Sequence, residues 1–135
     1  MHDQQARFAQ GRVARLATAG SGQPHLVPVV FALVSQVVVI AVDDKPKTTT
    51  RLKRLRNIEA NPRVSMLVDH YDDDWSLLWW VRMDGLGRVL TAQSEEGSAA
   101  IDALVGKYPQ YAIARPGGPV ISVQPSRWAS WSAAD

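Results

Sequence analysis

ATAGSGQPHLVPVVFALVSQVVVIAV, residues 17–42, decides how this chain folds. Gly20, Ser21, Gly22 and Gln23 are a turn signal between two apolar runs, the mark of a tight hairpin. On its upstream side residues 12–19 alternate, with Val13, Leu16 and Ala17 set among Arg12, Arg15 and Thr18, and read as a strand. Downstream, Pro24–Val34 reads as one long apolar strand interrupted by Pro28. A proline has no N–H for the ladder, so Pro28 asks for an edge, a bulge or a place where the ladder opens. Ser35-Gln36 makes a second turn, and Val37–Val42 follows as a strand buried on both faces. Its β-branched residues exclude a helix.

The remaining elements extend this β-rich start. Residues 2–10 suggest a short amphipathic helix ending at Gly11. After the third strand Pro46 blocks continuation, and Thr48–Thr50 offer hydroxyls to cap a helix. Leu52, Leu55 and Ile58 mark its buried side; Lys53, Arg56 and Asn57 fall on another side, with Arg54 further round. Asn61-Pro62 ends it. Arg63–His70 is a strand with Val64, Met66 and Val68 facing one way, and Asp72–Asp74 is an acidic loop. Ser76–Ala92 gives one long strand, or two bent at Asp84-Gly85. Ser94 caps a helix whose Ile101, Leu104, Val105 and Tyr108 follow the helical period. Pro119–Gln124 is the last strand, and a tail carries Trp128 and Trp131. The expectation is a mainly β (α+β) domain covering residues 1–135, a six-stranded antiparallel barrel with short excursion helices. Such a barrel has few grooves of its own, so a cofactor is expected at the seam between two copies.

Composition narrows the chemistry. A chain of 135 residues with 46% apolar content and five tryptophans builds one real core. No run of about 18 apolar residues occurs, and the first ten residues hold no apolar signal core, so no membrane association and a cytoplasmic location are expected. Zero cysteines exclude disulfides and thiolate ligands, and His2, His25 and His70 show no ligand spacing, so no metal is expected. No nucleophile elbow, zinc helix or phosphate loop motif is present, which leaves catalytic residues unassigned. Either the protein is not an enzyme or a cofactor carries the reaction.

KPKTTTRLKRLRNIEANP, residues 45–62, holds six basic side chains in its first twelve positions with no acid among them. The other nine basic residues face thirteen acidic ones, so the rest of the chain is net negative. A nucleic-acid binder spreads its cations along a face. Cations gathered at one helix suit a small anionic group, which a helix N-terminus already favours; a solvated helix face is the plain alternative.

The succession of the ATAGSGQPHLVPVVFAL hairpin, the DDKPK strand end, RLKRLRNIEANPRVSMLVDHY and LLWWVRMDGLGRVL resembles the flavin-binding split β-barrel family of pyridoxamine 5'-phosphate oxidase, over about residues 6–131. More narrowly it resembles the branch of coenzyme F420-dependent oxidoreductases. The resemblance implies a homodimer with two equivalent sites built from both subunits and a small-molecule substrate. It implies Val27, Pro28, Val29 and Val30 beside the flavin ring, and Lys47, Lys53, Arg54, Arg56 and Asn57 around its phosphate. The family's frequent lysine three positions before the asparagine falls on Arg54 here. Trp79, Trp80 and Arg82 would close the partner's site, with the two tryptophans on opposite sides of their strand. Arg127 and Trp128 resemble a final element near the cofactor. F420, with its acidic tail, uses more positive surface than FMN, the alternative cofactor; a non-catalytic haem-handling relative is a further alternative. With F420 the reaction would be hydride transfer to an unsaturated substrate.

Overall fold

The computed structural model describes residues 2–42 and 49–134, with side chains described for 3–42 and 53–134. Helix α1 (His2–Ala9) leads into strands β1 (Ala14–Thr18), β2 (His25–Val29), β3 (Ala32–Val34) and β4 (Val37–Ala41). Helix α2 (Thr49–Ala60) precedes β5 (Arg63–His70), a single 3-10 turn at Trp75–Leu77 and β6 (Trp79–Leu90). Helices α3 (Glu95–Lys107) and α4 (Pro109–Ile113) are followed by β7 (Val120–Ser132).

The described strands number seven rather than six, in one antiparallel sheet of order β2-β1-β5-β6-β7-β4-β3. The difference arises in Pro24–Val34, which is two strands broken at Val30-Phe31. These lie on opposite edges of the sheet. Val29 and Ala32 are three Cα steps apart, so their strands can be separated there by at most about 11 Å. The two edges must therefore approach each other, and the sheet curls into a barrel-like form. Pro28 sits on edge strand β2, where its missing N–H costs no ladder bond.

Phe31 makes that crossing. It is fully buried, and its backbone groups lie outside the ladder and need partners. The end of α3 supplies them. The Phe31 N–H donates to the Tyr108 hydroxyl at 3.2 Å, and Lys107 Nζ donates to the Phe31 carbonyl at 2.9 Å. The Tyr108 hydroxyl hydrogen has two carbonyls in reach, Phe31 O at 2.9 Å and Arg12 O at 3.1 Å. Lys107 also donates to Ala9 O at 3.0 Å and stands 3.9 Å from the Phe31 ring centroid, a cation–π distance.

Strand β4 separates two cores, as its β-branched run requires. Val38 and Ile40 point into the curl with Phe8, Leu16, Met66 and Met83. Val39 and Ala41 point outward onto Ala100, Ile101, Leu104 and Tyr108 of the α3 segment. The helical period selects Ile101, Leu104 and Tyr108 among them, while Val105 is only half-buried and Ala100 takes the further buried place. Ser94 Oγ accepts from Gly97 N–H at 3.0 Å as the helix cap. On α2, Ile58 is buried and Leu55 half-buried against the inner core. Strand β7 does not stop at Gln124 but runs to Ser132, because β6 offers Trp79–Asp84 as an unpaired edge that the tail completes. The anticipated bend at Asp84-Gly85 is a bulge there, where a Cβ on Gly85 would stand 2.5 Å from Gln124 O. Ser35 and Gln36, both at positive φ, form the two-residue β3–β4 turn. No described helix is long and apolar enough to cross a membrane.

Two outcomes follow from the Phe31 crossing. Tyr108→Phe leaves the Phe31 N–H without its acceptor, so urea unfolding should show a loss of about 1–3 kcal/mol. Burial, and second the Arg12 guanidinium, bring the Lys107 ammonium down to about 8. Below that pH the folded and unfolded chains both hold the proton, and the penalty of the buried charge is fully present. Between about pH 8 and 10 the unfolded chain binds more protons, so stability rises with pH. The thermal midpoint should climb across that window in the parent and stay flatter in Lys107→Met.

Candidate functional site

Strands have two faces, and the described residues cover only one face of β2-β1-β5-β6 and of the C-terminal half of β7. Alternation places Leu26 and Pro28 of β2, Arg15 and Ala17 of β1, and Ser65, Leu67 and Asp69 of β5 on the other face. Trp80, Arg82 and Asp84 of β6 continue it, paired with Trp131, Ala129 and Arg127 of β7. Leu26 is 67% exposed and Trp131 47%, so the face carries uncovered apolar surface. Two shallow cavities of about 480 and 380 Å³ occupy it and share Ala17 and Ser65 as walls. Together they make one groove from Pro24 and Leu86 at one end to Trp80 at the other.

The polar groups in this groove are largely satisfied. Ser65 Oγ donates to Asp84 Oδ1 at 2.7 Å, Arg82 Nε approaches the same oxygen at 3.2 Å, and Arg15 lies 3.9 Å from Asp69. An apolar floor with a few placed polar groups suits a planar organic ligand. No described side chain in it is poised as a nucleophile beside a base. Among the described residues no three histidines or acids are grouped to hold a metal ion. Asp74 of the acidic loop accepts from Ser76 N–H and Oγ, bonds that hold its carboxyl below the usual range.

Helix α2 meets the groove at the hairpin end. Asn57 Nδ2 donates to Thr18 Oγ1 at 3.0 Å. The Thr18 side chain is buried and faces inward with Leu16, so this bond lies on the covered side of the sheet at the end of the groove that residue 18 borders. The hairpin turn fits around this contact: Gly20 has φ +59°, and a Cβ there would stand 2.5 Å from Asn57 Oδ1. Lys53 and Arg54 stand four and three residues before Asn57, on the same helix face. Opposite Thr18 in the ladder is His25, with its side chain on the same side of the hairpin. Burial first, then Lys53 and then Arg54, depress its imidazole pKa.

The residues expected at a site separate accordingly. Lys53, Arg54 and Asn57 come together at the hairpin end, Arg56 is exposed on the same helix, and Lys47 lies outside the described residues. Of Val27, Pro28, Val29 and Val30, only Pro28 presents its side chain on the open face. Val27 and Val29 face the inner core, and Val30 packs in the second core. Trp80 and Arg82 line the groove, whereas Trp79 turns inward, its ring 6.3 Å from His70 and 4.8 Å from the Arg7 guanidinium. Arg127 is exposed on the open face, and Trp128 packs edge-on against Phe8. Residue-type motifs do not reveal Thr18, His25, Ser65 and Asp84. Strand alternation from Arg15 and Leu67 was the available signal for Ser65 and Asp84.

No curated protein sequence matches the chain. Solved structures share its fold. A FAD-binding protein from Mesorhizobium loti is 21% identical, with TM-score 0.73 over 96% of this chain and 91% of that one. The haem storage protein HutZ from Vibrio cholerae is 16% identical, with TM-score 0.70 over 96% and 92%. A FAD-binding protein from Mycobacterium smegmatis is 16% identical, with TM-score 0.63 over 96% and 92%. The sequence matches the pyridoxamine 5'-phosphate oxidase family over residues 1–132, and the chain belongs to that family.

Proposed function

We propose that this protein is an oxidoreductase that binds a flavin-type cofactor with its ring in the open groove and its phosphate at α2. The observation that carries this reading is the position of α2 at the hairpin end of the apolar groove, where Asn57 is bonded to Thr18 and Lys53 and Arg54 stand on the same helix face. A phosphate-bearing aromatic cofactor needs that combination, and the names of the FAD-binding relatives agree with it. Pro28 and Trp80 would flank the ring, with Arg82 at its polar edge. Lys53 and Arg54, with Lys47, would attract the phosphate, and Arg56 would extend the positive field. The cofactor supplies hydride transfer to a small unsaturated molecule, and the protein orients the ring and shapes the pocket. A second copy of the chain would cover the groove and complete each site.

Among flavin-type cofactors, we favour coenzyme F420. Six cations within residues 45–56 exceed what one terminal phosphate uses and suit a phosphodiester with an acidic tail. FMN is the second reading, favoured by the family itself. Parallel titrations with F420, FMN, FAD and haem test the choice. F420 should bind most tightly, and a higher affinity for FMN would overturn that preference. A Soret-type haem complex without flavin binding would overturn the oxidoreductase reading.

A charge-assisted contact contributes about 1.5–3 kcal/mol, so Lys53→Ala and Arg54→Ala should each weaken cofactor binding roughly ten- to a hundredfold. The loss should shrink as salt rises, because the contact is partly exposed. Arg88→Ala, which removes only an exposed pair with Glu96, should bind like the parent. Equal affinity in all three variants would reduce the α2 cations to a solvated face.

A further inference from the structure

The Nδ1 of His25 is buried and has no hydrogen-bond partner among the described residues. Buried polar atoms without partners are rare and costly, and one at a candidate site points to a missing ligand. Its position is defined by the ladder. His25 is opposite Thr18, Thr18 accepts from Asn57, and Lys53 and Arg54 share the Asn57 face of α2. The charged groups acting on the imidazole among the described residues are those two cations, with no carboxylate beside them.

We propose that His25 completes the anion site of Lys53 and Arg54, its Nδ1 donating a hydrogen bond to a phosphoryl oxygen of the bound molecule. This rests on the reading that α2 holds the cofactor phosphate. In the empty site, burial and two like charges oppose protonation of the ring. A phosphoryl anion placed among the three groups reverses that field, so the ring takes up a proton as the anion binds. The same coupling read from the other side makes the anion bind more tightly as pH falls. His25 is therefore a binding residue that makes affinity depend on pH, whereas Lys53 and Arg54 supply a constant charge.

The test follows the His25 ring resonances by NMR from about pH 8 to pH 5, with the protein alone, with FAD and with riboflavin. The pyrophosphate of FAD stays fully ionised across this range, so any pH dependence belongs to the protein. Riboflavin has the ring and lacks the phosphate. FAD should raise the His25 midpoint by about one unit, which corresponds to roughly tenfold tighter FAD binding at the acid end. Riboflavin should leave the midpoint where it is, and His25→Gln should remove the pH dependence of FAD affinity. An unmoved midpoint with FAD bound, while Lys53→Ala still weakens binding, overturns the role of His25 and leaves the α2 anion site standing. A shift that riboflavin reproduces also overturns it, since the ring would then be the cause. If Lys53→Ala and Arg54→Ala bind FAD unchanged and His25 does not respond, both readings fail together.

Discussion

Phe31 passes from one edge of the sheet to the other, and the rest of the structure depends on how its backbone is satisfied there. It is fully buried, outside the ladder, and held by Tyr108 and Lys107 at the end of α3. The short link draws β2 and β3 together and curls the sheet. The curl gives the inner face a dry core around Leu16, Met66, Met83 and Phe8. Helix α3 occupies the outside only along β3, β4 and the start of β7, where Val39, Ala41 and Val120 meet Ile101 and Leu104. Among the described residues, no element then covers the outside of β2, β1, β5 and β6.

That uncovered face is unlike an ordinary solvated sheet surface. Leu26, Pro28, Leu67, Trp80 and Trp131 lie on it, and it carries the ion pairs Arg15–Asp69 and Arg82–Asp84. Paired charges lower the cost of removing water from a surface, and exposed apolar side chains gain from it. The face thus suits a ligand and a second protein surface at once, and α2 stands at the end where an anionic group would emerge. The two halves of the proposed site have different physics. The groove offers shape and apolar area, and α2 offers charge. Asn57, bonded to Thr18 and seated against Gly20, keeps them in register.

Much of this architecture is legible in the residues. Val37–Val42 reads as a strand buried on both faces and is one, with a core on each side. Ser94 and the Ile101, Leu104, Tyr108 period locate α3, and Gly85 marks the bend in β6. What was not legible depends on partners distant in sequence. Nothing local interrupts Pro24–Val34 at Val30-Phe31, because the break is stabilised by Tyr108, 77 residues away. The tail after Gln124 lacks a strong strand pattern and is strand only because β6 has an open edge beside it. Alternation shows that Trp79 and Trp80 oppose each other. Trp79 faces the core because it shares its side of β6 with the buried Val81 and Met83, and Arg7 and His70 lie against its ring. A lone histidine after a hairpin turn carries no signal until the ladder sets it opposite Thr18.

The central claim is that the open face is covered by a second copy and that the cofactor site exists only in the pair. Sedimentation equilibrium of the parent and of Leu67→Asp, with flavin binding measured on the same samples, tests it most directly. Leu67 lies in the middle of the face and outside both cores, so the variant should keep the parent's circular dichroism. The account predicts a parent of twice 14.8 kDa, and a folded Leu67→Asp monomer whose flavin affinity falls by at least about tenfold. A parent that sediments at 14.8 kDa and binds flavin at full strength would contradict it.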